Sequence, residues 1–218
     1  MHYTALKNSK QFFDVYRKFF NQTGQKVTVA DVGSQDVNGS LKSTMPAEFE
    51  YVGIDFVPGK GVDVVIDDPY KLPFSDESFD VVLSSSCFEH SEMFWLVFLE
   101  IMRVLKPGGI FYLNVPSNGS FHRWPVDCWR FYPDSGNALV AWAKRNGINA
   151  ALLESYTSVQ ELDIWNDYVG VFIKNENYIS KYPRRILDNK TDFTNGIVYG
   201  NTNFLNFTEP TEDMRQRK

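Results

Sequence analysis

Three short apolar runs in the first third of the chain end in carboxylates. "KVTVADVG" closes on Asp31 and Gly33, "EYVGIDF" on Asp55, and "GVDVVIDD" on Asp67 and Asp68. One acid at a strand end ordinarily caps the next helix. Three at successive strand ends predict a single groove lined by Asp31, Asp55 and Asp68. Asp55 lies 24 residues beyond Asp31, where a carboxylate accepts hydrogen bonds from both hydroxyls of a ribose. The loop between them, "DVGSQDVNG", lacks the G-x-G-x-x-G spacing that lets backbone approach a pyrophosphate. Asp31 and Asp36 would moreover put negative charge where a pyrophosphate needs none. A nucleoside bearing an amino acid and a sulfonium, with no phosphate, suits these acids better.

A second set of reactive side chains falls in "PSNGSFHRWPVDCWRFYPDS" (116–135). Here His122, Arg123, Trp124, Asp127, Trp129, Arg130 and Tyr132 crowd one loop. Polar groups mixed with aromatics suit a sugar or another polyhydroxylated acceptor, by stacking and hydrogen bonding. Imidazole ordinarily titrates near neutral pH, which makes His122 the expected general base. Asp127 would orient it or act alone, and His90, from the segment after the fourth apolar run, would face the same pocket. Arg123 and Arg130 either bind an acidic group of the substrate or pair with Asp127 and Asp134. His90, His122, Asp127 and Glu89 show no diagnostic ligand spacing, so no metal is expected.

The elements that must carry these groups emerge from the hydrophobic pattern. Phe12, Phe13, Tyr16, Phe19 and Phe20 recur at helical spacing over 9–21. Five apolar runs with little alternation (27–33, 50–56, 61–68, 79–86, 109–116) predict strands covered on both faces. A helix is expected over 91–109, with Ser91 as N-cap and Lys106-Pro107-Gly108-Gly109 as its stop, and another over 133–146. Two late strands are expected at 148–155 and 168–175. The result is an α/β, doubly wound, mostly parallel seven-stranded sheet, a Rossmann-like arrangement whose ligands sit at the carboxyl ends of the strands. Residues 1–175 are read as one domain and 176–218, which have no clear period, as a C-terminal extension that covers the domain or forms an interface.

The stretches "VADVGSQ", "YVGIDF", "DDPYKLPFSDESFDVVLSSSCFEH" and "FLEIMRVLKPGGIFYLNVPS" resemble the class I S-adenosylmethionine-dependent methyltransferases, in particular their type 11 branch, over about residues 27–117. The resemblance implies S-adenosylmethionine as cofactor. It implies that Asp31, Gly33 and Ser34 hold the methionine end and Asp55 the ribose, with Phe56 beside it. It places Asp68 at the adenine, with Asp67 as the alternative, and Ser84 and Ser85 near the sulfonium. Gln35 stands where the family usually has a second glycine, and the short span from Gly33 to Glu50 implies a reduced first helix. Methyl transfer to a small polar or saccharide-like acceptor, on a hydroxyl oxygen, is the expected activity. The alternatives are N- or C-methylation of a small metabolite, or a non-catalytic cofactor-binding partner subunit.

Bulk properties narrow the partners. A net charge of −5 and no basic run longer than Arg184-Arg185 argue against nucleic acid and anionic lipid. The longest apolar stretch, "MFWLVFLEIM", is too short to span a bilayer and is broken by Glu100. The N-terminus carries no signal-peptide core, and Cys87 and Cys128 read as reduced thiols. A cytoplasmic protein is expected. The helix over 91–109 is apolar nearly all round, so one of its faces would be covered by 176–218 or by a second copy in a homodimer.

Overall fold

The computed structural model describes residues 2–20 and 24–208. The chain runs α1 (Tyr3–Tyr16), β1 (Thr28–Val32), β2 (Glu50–Asp55), β3 (Val64–Val65), β4 (Phe79–Ser85), α2 (Phe94–Val104), β5 (Leu105–Pro116), α3 (Ser135–Arg145), β6 (Ala151–Ser158), β7 (Asp167–Ile173) and β8 (Phe193–Val198). The β-branched and aromatic residues of the runs form one eight-stranded sheet of order β3-β2-β1-β4-β5-β7-β6-β8. β1 through β5 pair in parallel, whereas β7 is antiparallel to β5 and β6, and β8 is antiparallel to β6. The expected seven strands therefore become eight. β8 comes from the aperiodic stretch after residue 175, where pairing to the edge of β6, not a two-residue hydrophobic period, defines the strand.

Each face of the sheet has its own core. On one, Phe98, Ile101 and Met102 of α2 and Leu139 and Ala143 of α3 pack against Val82, Phe111 and Phe172. On the other, Phe12, Phe13 and Tyr16 of α1 meet Val81, Tyr112 and Val171, and Tyr182, Ile186 and Leu187 close over them. The segment 176–187 thus lies beside α1, on the other face of the sheet from α2, whose Phe94, Trp95, Leu96 and Leu99 stay half-buried.

Two helix boundaries differ from the sequence reading. α2 begins at Phe94 with Met93 as N-cap and no side-chain cap, while Ser91 sits outside it after a 3₁₀ turn over Phe88–His90. At the far end the chain passes directly from Val104 into β5, and Lys106-Pro107-Gly108-Gly109 is absorbed as an irregularity between the pairs Phe79↔Leu105 and Val81↔Ile110. Between β1 and β2 no α-helix forms; the only helical element there is a 3₁₀ turn over Leu41–Ser43.

A buried carboxylate ties the distant parts together. Glu154 on β6 accepts hydrogen bonds from the Tyr16 hydroxyl at 2.6 Å and from the Ile186 and Leu187 backbone N–H groups at 2.8 and 2.9 Å. Its pKa is raised, with burial the main cause. Replacing Glu154 by alanine strands three donors in the core and should cost about 3 kcal/mol of stability, measured by denaturant unfolding.

Candidate functional site

The parallel strands point their carboxyl ends to one edge, and the polar residues gather there. Asp31, one residue before the end of β1, is buried and accepts a hydrogen bond from the Tyr51 hydroxyl at 2.8 Å. Burial, reinforced by the charge of Asp55 and opposed by that hydrogen bond, pushes the Asp31 pKa up to about 7. Asp55 ends β2. Its Oδ2 takes the Gln35 backbone N–H at 3.0 Å and its Oδ1 that of Val57 at 3.2 Å, leaving further lone pairs on both oxygens. Gly33 turns the chain out of β1 with φ of +85°, and a Cβ on it would fall 2.6 Å from Cys87 Cβ and 2.7 Å from Cys87 Sγ. Glycine is required there on both counts. Ser84 Oγ donates to Val32 O at 2.8 Å, stitching β4 to the same turn.

In place of a helix, a second glycine-containing turn braces the first loop. Asp36 N–H donates to Lys60 O at 2.8 Å, and Lys60 Nζ meets the Asp36 carboxylate at 2.6 Å. Gly59 and Gly61 let this turn approach closely: the Gln35 side chain lies on Gly59, and a Cβ at Gly61 would come within 2.9 Å of Ser34 O. The Gln35 departure thus has a structural use, because its side chain fills the space that the 59–61 turn leaves. Asp67 and Asp68 come after β3 and stay exposed, with Asp68 Oδ1 accepting Tyr70 N–H at 2.9 Å. The expected convergence therefore holds for Asp31 and Asp55. Asp68 instead serves a local turn on an exposed loop, because β3 is only two residues long and the chain leaves the sheet early. Phe56 is exposed next to Asp55.

The exit of β4 carries the site onward. Ser86 adopts φ of +51° and sends residues 87–93 across the edge towards the loop after β5. Glu89 is 1% exposed, and burial raises its pKa to about 8. His90 Nδ1 lies 2.5 Å from Val126 O, and burial lowers its pKa. The His90 and His122 rings meet edge-on at 5.0 Å, and His122 also lies 5.0 Å from Trp165. Asp127 is held as a hub. Arg130 donates to both its oxygens, at 2.6 and 2.9 Å, and His122 N–H to one of them at 2.7 Å. The Arg130 guanidinium, ahead of the opposing effect of desolvation, keeps the Asp127 pKa down at about 2. Of the two readings of Arg130, pairing with Asp127 is the one seen. The structure brings His90, His122 and Asp127 together, with Asp127 bound into the loop instead of standing free as a base.

Sequence reasoning passed over Tyr51, Cys87 and Trp165. Their signal lies in three-dimensional neighbourhood: Tyr51 is on the strand beside Asp31, and Gly119 exists to admit the Trp165 ring, which its Cβ would strike at 1.9 Å.

Several buried polar atoms at this edge have no hydrogen-bond partner: Ser34 Oγ after β1, Ser85 Oγ at the end of β4, Glu89 Oε2 and Ser91 Oγ beyond it, and Arg130 Nε. Unpaired buried polar groups are costly and rare in folded proteins. Asp55 keeps acceptor lone pairs that suit the ribose diol of S-adenosylmethionine, and Ser34 Oγ and Ser85 Oγ, at the ends of β1 and β4, are unpartnered.

Residues 14–113 match a family model described as a methyltransferase domain. The phthiotriol/phenolphthiotriol dimycocerosates methyltransferase of Mycobacterium tuberculosis is 44% identical over 71 residues, covering 31% of this chain and 25% of that protein. Its namesake from Mycobacterium leprae is 30% identical over 123 residues, covering 50% and 42%. The chain thus spans a quarter to less than half of the length of these curated relatives. Among solved structures, the 1,6-didemethyltoxoflavin-N1-methyltransferase of Burkholderia thailandensis, with bound 1,6-didemethyltoxoflavin and S-adenosylhomocysteine, superposes with a TM-score of 0.59 at 14% identity over 79% of each chain. At that identity the likeness is one of fold.

The protonation of Asp31 makes a checkable signature. The unfolded carboxyl ionises near pH 4 and the folded one near 7. Between those values the folded chain binds more protons, and stability falls as pH rises. Asp31→Asn should raise the melting temperature of the ligand-free protein at pH 8 by roughly 5 °C, with the gain vanishing towards pH 4 in a thermal series.

Proposed function

We propose that this chain, whose residues 14–113 match a methyltransferase-domain model, is a class I methyltransferase of the type 11 branch that binds S-adenosylmethionine and methylates a hydroxyl oxygen of a polar, saccharide-like acceptor. The observation that carries the reading is the pair of carboxylates at the ends of β1 and β2, Asp31 and Asp55, beside the tight turn at Gly33. Asp55 would hold the ribose hydroxyls, the turn at Gly33 and Ser34 the methionine end together with Asp31, and Ser85 would lie beside the sulfur. Phe56 would rest on the nucleoside from the exposed side. When bound, the cofactor supplies a methyl group made electrophilic by positive sulfur.

The chain's own residues must then orient the acceptor and take its proton. His122 is suited to this. Its Nδ1 lies 3.1 Å from Ser120 O, which can only accept, so the proton sits on Nδ1 and the lone pair on Nε2. Asp127 positions His122 through its backbone, and His90 is fixed beside it by Val126. Trp124, Trp129 and Tyr132 stand exposed around the loop and offer faces on which a sugar ring stacks.

A second reading has its own support. Leu162 and Ile164 are also exposed, and the 117–120 loop is tied to theirs through Asn118 Nδ2 and Ile164 O at 2.9 Å. An apolar molecule bearing the hydroxyl would use this rim. The Mycobacterium tuberculosis relative is named for phthiotriol and phenolphthiotriol dimycocerosates. No helix among the described residues is long and apolar enough to cross a membrane.

Calorimetry with S-adenosylhomocysteine should show one site per chain, while NAD gives no heat. Asp55→Ala should weaken that binding by at least about 100-fold, as expected for a bidentate charge-assisted contact in a desolvated site. His122→Ala should leave cofactor binding intact and remove methyl transfer to acceptor pools, read by mass shift with labelled cofactor. Incorporation into saccharides or into lipids separates the two acceptor readings.

A further inference from the structure

One side-chain cluster is not explained by cofactor binding. Glu89, His90 and His122 each present a donor atom, and the three atoms lie within 4.8 Å of one another. The carboxylate is buried, with Oε2 unpartnered and Oε1 3.8 Å from His90 Nε2. Both imidazoles are locked in the same tautomer. His90 Nδ1 donates to Val126 O. His122 Nδ1 faces two acceptors, Ser120 O at 3.1 Å and Asp127 Oδ2 at 3.4 Å, against the one donor, Arg130 Nη2, also at 3.4 Å. Each ring therefore keeps an unprotonated Nε2. A backbone carbonyl fixing the far nitrogen is the usual outer support of a metal-binding histidine.

We infer that Glu89, His90 and His122 form a binding site for one divalent transition-metal ion. Two imidazoles and one carboxylate suit zinc, cobalt or iron in the divalent state better than magnesium or calcium, which prefer all-oxygen shells. Ligand bonds of about 2.0–2.2 Å set tetrahedral donors about 3.3 Å apart, so the donors need to draw in by roughly 1 Å. His122, at the half-exposed end of the cluster, supplies that movement by side-chain rotation. Arg130 is already paired with Asp127, and Glu89, whose burial favours the protonated form, gives up its proton to solvent as it ligates the ion. Three protein ligands leave an open position towards the aromatic loop for a water or an acceptor oxygen, which the ion would acidify. His122 is then a ligand and no longer the proton acceptor. Metal binding itself does not depend on the methyl-transfer reading.

The experiment titrates chelator-treated full-length protein with Co²⁺, tracked by visible d–d absorption, and with Zn²⁺ by calorimetry. One ion per chain is expected, with affinity at least about 10-fold weaker in Glu89→Gln and in His122→Ala and unchanged in His2→Ala. S-adenosylhomocysteine binding, measured on the same samples, should be equal in wild type and all three variants, and reports that each is folded. The inference is overturned if folded wild type takes up no stoichiometric ion, if His122→Ala binds as tightly as wild type, or if His2→Ala abolishes binding. Loss of S-adenosylhomocysteine binding by wild type with normal Co²⁺ uptake would instead remove the cofactor reading and leave the metal site standing.

Discussion

The contact between Gly33 and Cys87 governs this molecule's working edge. The turn out of β1 and the exit of β4 press together so closely that no side-chain carbon fits between them. Burial first, and then the charges of Glu89, Asp55 and Asp31, hold the Cys87 thiol protonated. The same contact links two regions that would otherwise be separate. On one side lie the carboxylates at the ends of β1 and β2. On the other, two and three residues along, lie Glu89 and His90. A shift in either turn moves the other, because the two are in van der Waals contact and neither has slack.

Around that contact the structure departs from the usual way of building a nucleoside site. Where a helix would supply backbone N–H groups and a favourable dipole, a 3₁₀ turn and an irregular loop stand, braced by Asp36, Lys60 and two glycines. The edge at which the cofactor is proposed to bind is therefore shaped by side chains and by the Asp55 carboxylate. Two neighbouring acids disfavour a phosphate there on electrostatic grounds, so loss of the helix and choice of ligand are compatible.

Much of this was legible in the residues. Apolar runs ending in Asp31 and Asp55 announced parallel strands and their ligand edge, because acids at successive strand ends fall along one carboxyl edge of a parallel sheet. The crowding of His122, Asp127 and Arg130 was visible as composition. What stayed hidden depends on distance in the chain. The two-residue β3 looked like a full strand because Val64, Val65 and Ile66 are apolar, though too little lies beside them to pair with. β8 has no alternation, since it borrows its register from β6. Glu89 could not be told from an ordinary acid at a turn, because what distinguishes it is the loop after β5 folding over it.

The bonds of Glu154 to Tyr16 and to residues 186–187 bear on how the chain is made. α1 is synthesised first, yet its aromatic face is covered by strands of the second half and by a segment some 170 residues later. At ordinary ribosomal speeds the helix waits roughly 10–30 s for those partners. During that interval Phe12, Phe13 and Tyr16 stay an uncovered apolar stripe until residues 182–187 emerge.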